Sequence, residues 1–121
     1  MRTITQIIID TPDAEKLASF YRTFFWILPE PGVAGPGEKQ IGWLLKFDGS
    51  TSLLLVQNVG DSGRAGRAQF SLSVGSEQEV DSLAASMVRG GASMVQAPRK
   101  THGLYLCSFA DPDGNLIFIT A

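Results

Sequence analysis

Apolar and polar positions run along this chain in two successive blocks of the same order. In the first, Thr3–Ile9 is a β-branched, apolar run, and Ala14, Leu17, Tyr21 and Phe24 then recur at helical spacing over Asp13–Phe25, with Phe20 and Phe25 widening the stripe. Ile41–Phe47 and Ser52–Gln57 follow as two strands joined across Asp48-Gly49, a hairpin signal. In the second block, Gln69–Val74 predicts a strand and Ser76–Arg89 a helix, whose Val80, Leu83, Ala84, Met87 and Val88 make one face. Gly103–Phe109 and Asn115–Thr120 close the block as a hairpin around Asp111-Pro112-Asp113-Gly114, after a short strand over Ser93–Gln96. Asp113-Gly114 follows Asp48-Gly49 by 65 residues and Leu83 follows Phe20 by 63. An offset that holds within two residues from helix to hairpin implies a duplicated unit.

The punctuation agrees with these elements. Thr11 is the predicted N-cap of the first helix, with Pro12 at its first position and Asp13 and Glu15 near its positive end. Ser76 and Glu79 form an S-x-x-E capping box, and Gly90-Gly91 offers a left-handed stop. Pro29–Gln40 is rich in Pro and Gly and is expected to be a long loop, with the Glu38 carboxylate in its second half. Asn58–Ala68, with three glycines and Arg64 and Arg67, reads as the connection between blocks, and Ala97–His102 as a basic loop. One domain of 121 residues results, with a first module over about 1–58, a linker over 59–67 and a second module over 68–121. Ile7, Ile8 and Ile9 suit a strand covered on both sides.

Composition narrows the function classes. A hydrophobic fraction of 44% with 18% charged residues is that of a folded globule. A net charge of −2 argues against nucleic acid as a partner. No apolar run approaches the roughly 20 residues that span a bilayer, and the first residues do not read as a signal peptide. Cys107 is the one cysteine, which suits a reducing cytoplasm and a small buried strand residue. A βαββ unit covers one sheet face with its helix and leaves the other bare. Two such units can curve into one open, incomplete barrel whose hollow would bind a small molecule.

Asp13-Ala-Glu-Lys-Leu-Ala-Ser-Phe-Tyr21 resembles the D-x-x-x-x-x-x-F-Y opening of the vicinal oxygen chelate superfamily, and Phe109-Ala-Asp-Pro-Asp-Gly-Asn-Leu-Ile117 resembles its closing F-x-D-P-D-G-N-x-I signature. Small bacterial proteins of the glyoxalase-like and bleomycin-resistance-like type are the nearest subgroup by this resemblance. It implies an α+β fold: two paired βαβββ modules forming an open barrel around a cleft, helices outside. It also implies a homodimer, and either a metal-dependent lyase, isomerase or dioxygenase or a metal-free binder of drugs.

The superfamily's metalloenzymes take His, Glu or Gln ligands from the first and last strands of each module. The matching positions here, counted from helix starts and hairpin turns, are Gln6, Leu54, Gln69 and Phe118. Two neutral amides and two hydrocarbons do not meet a divalent ion's demand for several donors, so neither metal nor cofactor is expected. The expected ligand-binding set is Gln6, Leu54, Gln69 and Phe118, with Trp43 and Tyr105 as a stacking platform from corresponding hairpins and His102, the one histidine, near Arg99 and Lys100. Trp26 stands where the superfamily ends its first helix with Gly. The expected function is metal-free binding of a small apolar or aromatic ligand. The competing expectation is a lyase, isomerase or dioxygenase, metal-dependent through unorthodox ligands or metal-independent through His102 or a Gln-held water.

Overall fold

The computed structural model describes residues 4–33, 40–49, 51–57 and 68–121. Glu38, Arg64, Arg67 and most of the connection between blocks lie outside the described residues. The chain divides into two compact units, Met1–Gly66 and Arg67–Ala121.

In the first unit, β1 (Gln6–Thr11) leads into α1 (Ala14–Phe25), followed by β2 (Glu30–Val33), β3 (Gln40–Lys46) and β4 (Ser52–Gln57). The sheet order is β1-β4-β3-β2, with β1 parallel to β4 and the rest antiparallel. The second unit repeats the plan: β5 (Gln69–Ser73), α2 (Glu77–Arg89), β6 (Ser93–Thr101), β7 (Leu104–Ala110) and β8 (Leu116–Thr120), in order β5-β8-β7-β6. Each unit is therefore a βαβββ module, the fold is α+β, and neither sheet closes on itself.

Each helix covers one side of its own sheet. Leu17, Ala18 and Tyr21 of α1 are buried together with Ile9, Leu45, Leu53 and Leu55 of the sheet. Val80, Ala84 and Met87 of α2 are buried with Cys107, Phe109, Ile117 and Ile119. Alternate residues of β1, β4, β7 and β8 are thus turned to a helix. The three consecutive isoleucines of β1 are split by this rule: Ile9 is 3% exposed and Ile8 is 61% exposed, so β1 is not covered on both sides.

The repeat is closer than the turns suggested. Leu44 pairs with Leu54 and Ser108 with Phe118, an offset of 64 on both strands. The Asp-Gly pairs give 65 because each connection has five residues and the pair sits one place later in the second.

Two segments expected to be loops contain strand. β2 occupies part of the Pro/Gly-rich stretch, and β6 runs on through the basic segment to Thr101. Both are edge strands, where a proline removes no ladder bond. Pro31 lies on β2, and the register shifts between Gln96 and Arg99 around Pro98. The shift sets the missing N–H of Pro98 inside a bulge.

Helix ends also differ in detail. Asp13, not Thr11, caps α1: its Oδ1 accepts from Lys16 N at 3.0 Å, while Thr11 ends β1 and its Oγ1 accepts from Asp13 N. In α2, Ser76 Oγ accepts from Glu79 N, but the Glu79 carboxylate reaches one residue further back, to Gly75 N at 3.0 Å. Gly91 alone supplies the left-handed stop, φ 89°, with Ala92 N bonded to Met87 O and Gly91 N to Val88 O in a Schellman arrangement.

Trp26 takes the corresponding left-handed position after α1, φ 58°, with its side chain 90% exposed. A bulky side chain is strained there and gains nothing from burial. Trp26→Gly is expected to stabilise the protein by about 0.5–1 kcal/mol after the chain-entropy cost of glycine. Urea unfolding of the two proteins checks this, and a less stable variant would refute it.

Candidate functional site

The side of each sheet away from its own helix carries the first- and last-strand positions singled out by sequence. In module one, Gln6, Ile8 and Asp10 of β1 share this far face with Ser52, Leu54 and Val56 of β4 and with Leu44 and Lys46 of β3. Its centre is the row Ile8–Leu54–Leu44, hydrocarbon throughout. Lys46 Nζ and Glu30 Oε2, 3.1 Å apart, form an exposed ion pair on the same face.

The equivalent row in module two is Ser71–Phe118–Ser108, so the ring of Phe118 is flanked by a hydroxyl on either neighbouring strand. Ser108 is fully buried and its Oγ donates to Gln96 Oε1 at 3.4 Å. Gln69 and Ser73 extend the far face along β5, and Thr120 along β8. One module thus offers an apolar floor, the other an aromatic ring bordered by hydroxyls and amides.

Gln6 and Leu54 therefore share one face, and Gln69 and Phe118 share the other. Trp43, Tyr105 and His102 do not join them. Trp43 lies on the helix side of its sheet, beside Ala18, Ser19 and Arg22 of α1. Tyr105 is also on the helix side, where its hydroxyl donates to Asp81 Oδ1 of α2 at 2.6 Å. The two rings lie on equivalent strands, two residues out of step in the repeat, and both face helices, not the floor. His102 sits exposed at the tip of the β6–β7 turn with φ 50°, followed by Gly103 with φ 80°. Positive φ at both central residues is a type I′ hairpin turn, which explains a histidine there without any catalytic duty.

The Tyr105 hydroxyl is pushed up to about 12, first by its hydrogen bond to Asp81, then by desolvation and the nearby acidic charge. A folded-state value above the ordinary 10.0 means the folded protein keeps this proton after the unfolded chain has lost it. The contribution to stability is whole below pH 10 and is lost as pH rises towards 12. Tyr105→Phe is expected to be less stable at pH 8 and to show a shallower decline between pH 9.5 and 11.5 in urea titrations. Parallel curves would show that the pair carries no linkage.

The closing signature serves the fold. Asp111 Oδ1 accepts from the backbone N–H of Asp113 and of Asn115, both at 2.9 Å. Asn115 Nδ2 donates to Asp111 Oδ2 at 2.8 Å, and its Oδ1 accepts from Ala68 N, also at 2.8 Å. This knot ties the β7–β8 turn to the start of β5. Thr51 does the corresponding work in module one with reversed polarity, donating to Ile4 O at 2.9 Å. Sequence reading missed Gln57, whose amide accepts from Ala14 N at 2.9 Å and donates to Pro12 O at 2.6 Å, holding β4 to the start of α1. Its signal was only a polar residue ending an apolar strand.

The profile of the glyoxalase-like domain family matches residues 6–120. The chain belongs to that family. With it comes membership of the vicinal oxygen chelate superfamily. Among solved structures, a hypothetical protein from S. aureus is similar at 22% identity and TM-score 0.75, covering 100% of this chain and 97% of that one. A glyoxalase/bleomycin resistance protein/dioxygenase family enzyme from Burkholderia phytofirmans aligns at 19% identity and TM-score 0.77, over 96% and 95% of the two chains. The oxidase ChaP-H1 aligns at 16% identity and TM-score 0.75, over 100% and 96%. At these identities the likeness is one of fold. No curated protein matches the chain.

For a glyoxalase-like protein, the metal positions can now be tested on the donors present. Module one would offer Gln6 and Leu54, and module two Gln69 and Phe118. Each pair holds one neutral amide and one hydrocarbon, which does not fit a divalent ion needing several convergent donors. Asp10 shares a face with Gln6, but four residues along a strand separate them by about 13 Å. Among the described residues, no group of three or more His, Cys, Asp or Glu side chains is placed to hold an ion.

Proposed function

We propose that this glyoxalase-like protein is a small-molecule binder that works without a metal, with the far face of module two as its recognition surface. The supporting observation is the row Ser71–Phe118–Ser108, an aromatic ring between two hydroxyls, with Gln69 and Gln96 nearby. A flat ligand stacks on Phe118 and exchanges hydrogen bonds with the amides. In a metal-binding relative this central position would hold an oxygen or nitrogen donor, whereas here it is carbon.

Thermal unfolding with a panel of aromatic compounds tests the reading. A ligand at a hundred times its Kd adds about 2.7 kcal/mol. We expect stabilisation by aromatic compounds that bear hydrogen-bonding groups, and loss of the effect in Phe118→Ala. Stoichiometric Ni, Zn, Fe or Mn in protein purified without a polyhistidine tag would overturn it in favour of a lyase, isomerase or dioxygenase. The reading includes a homodimer, consistent with Ile8 at 61% exposure in the middle of a strand. Sedimentation showing only monomer at micromolar concentration would reject that part. It also includes a cytoplasmic site of action, consistent with a single cysteine. Among the described residues, no helix is long and apolar enough to cross a membrane.

A further inference from the structure

A concave surface lies in module one on the helix side of the sheet, the side opposite Leu44 and Leu54. It has a volume of about 310 Å³ and is lined by Glu15, Ala18, Ser19, Arg22, Leu28, Pro29 and Trp43. That volume is at the small end of the range for ligand pockets. The left-handed turn at Trp26 brings Leu28 and Pro29 back alongside α1, so they form a wall with Trp43. Leu28 is 78% exposed there, an apolar side chain left uncovered at the rim.

Charge decides what fits. Glu15 and Arg22 are seven residues apart on α1, two turns of one face and about 10 Å along the axis, too far to pair with each other. Among the described residues neither makes a salt bridge. A simple anion would meet Arg22 but be repelled by Glu15, and a simple cation the reverse. A molecule with an ammonium at one end, a carboxylate at the other and an apolar or flat body satisfies both ends and lies on Trp43.

We propose that this groove is a binding site for small zwitterions of the short-peptide class, separate from the far-face site. The probe is glycyl-phenylalanine, followed through the indole N–H resonances in ¹⁵N spectra. The chain has two tryptophans, so Trp26→Phe assigns both signals. Titration is expected to shift the Trp43 signal saturably. Blocking the amino end by acetylation or the carboxylate by amidation should weaken binding two- to fivefold, as for an exposed ion pair. Arg22→Gln, on the exposed face of α1, should remove the preference for the free carboxylate, and Glu15→Gln that for the free amine. No saturable shift at 10 mM probe, or equal binding of all three forms, would overturn the proposal. Either result leaves the Phe118 test untouched.

Discussion

Gly42→Ala is expected to cost about 3–5 kcal/mol, much of what holds an ordinary domain folded. Gly42 is buried in β3, opposite Val56 of β4. A methyl group built there overlaps the carbonyl oxygen of Leu55 and stands 2.8 Å from its carbonyl carbon and 3.1 Å from Val56 Cα. All three atoms are backbone of a strand that is itself paired on both sides, with β1 and with β3. No side chain can turn aside to make room, so β3 must leave the sheet. Gly49→Ala is the matched control. Its φ is 93° but nothing lies within 4 Å of the added carbon, so its cost is conformational only, about 1–2 kcal/mol. Thermal or urea unfolding of both variants checks the contrast. A Gly42→Ala protein within 1 kcal/mol of the parent would show that the two strands do not meet this closely.

The knot at the end of module two predicts the second large effect. Asn115→Leu keeps the branched shape in a somewhat larger side chain but leaves the buried Asp111 carboxylate and the Ala68 N–H without their amide partner. Loss of a charged hydrogen bond together with a part-buried unpaired donor, and the added bulk in a buried site, costs about 3–4 kcal/mol. Asn115→Asp separates the two terms. It still accepts from Ala68 N, but it sets a second carboxylate where the amide donor now stands, 2.8 Å from Asp111 Oδ2. Two carboxylates so close hold one proton between them, and the folded state then binds it more tightly than the unfolded chain does. Stability must fall as pH rises through the window above the ordinary Asp value of about 3.9. Asn115→Asp is therefore expected to lie close to the parent at pH 4 and well below it at pH 7, with Asn115→Leu impaired at both. Equal losses at the two pH values would rule out this account of the knot.

These predictions bear on function through what they remove from the candidate site. D-P-D-G-N, read in the sequence as a hairpin turn and part of the superfamily's closing signature, is a tie between strand ends, which is why it can stand in binders and catalysts alike. The pair Gln6 and Gln69 falls on equivalent strand positions and equivalent faces, as the 63-residue spacing implied. The pair Trp43 and Tyr105 also falls on equivalent strands, yet on the faces turned to α1 and α2. Period-two alternation explains both outcomes. Residues one apart on a strand point to opposite sides, so correspondence in a repeat fixes which strand a side chain is on and leaves its face to the register. Leu44 faces away from the helix and Trp43, its neighbour, towards it. A reading that ranks residues by chemistry alone will choose the tryptophan.

The amino-acid sequence by itself determined the duplication, both helices with their faces, the two hairpins and the superfamily, because these depend on periodicity, caps and turn residues within a few positions of one another. It also placed Gln6, Leu54, Gln69 and Phe118 on the first and last strands of the two modules, since that follows from their spacing to helix starts and hairpin turns. Tertiary structure decided what depends on neighbours distant in the chain. Pro31 and Pro98 belong to strands because each lies at a sheet edge, where a missing N–H goes unused. Tyr105 became a partner of Asp81, 24 residues away, and Phe118 came to lie between Ser71 and Ser108. Strand pairing made those neighbours, and pairing is a property of the folded sheet, to which local sequence contributes only half of each contact.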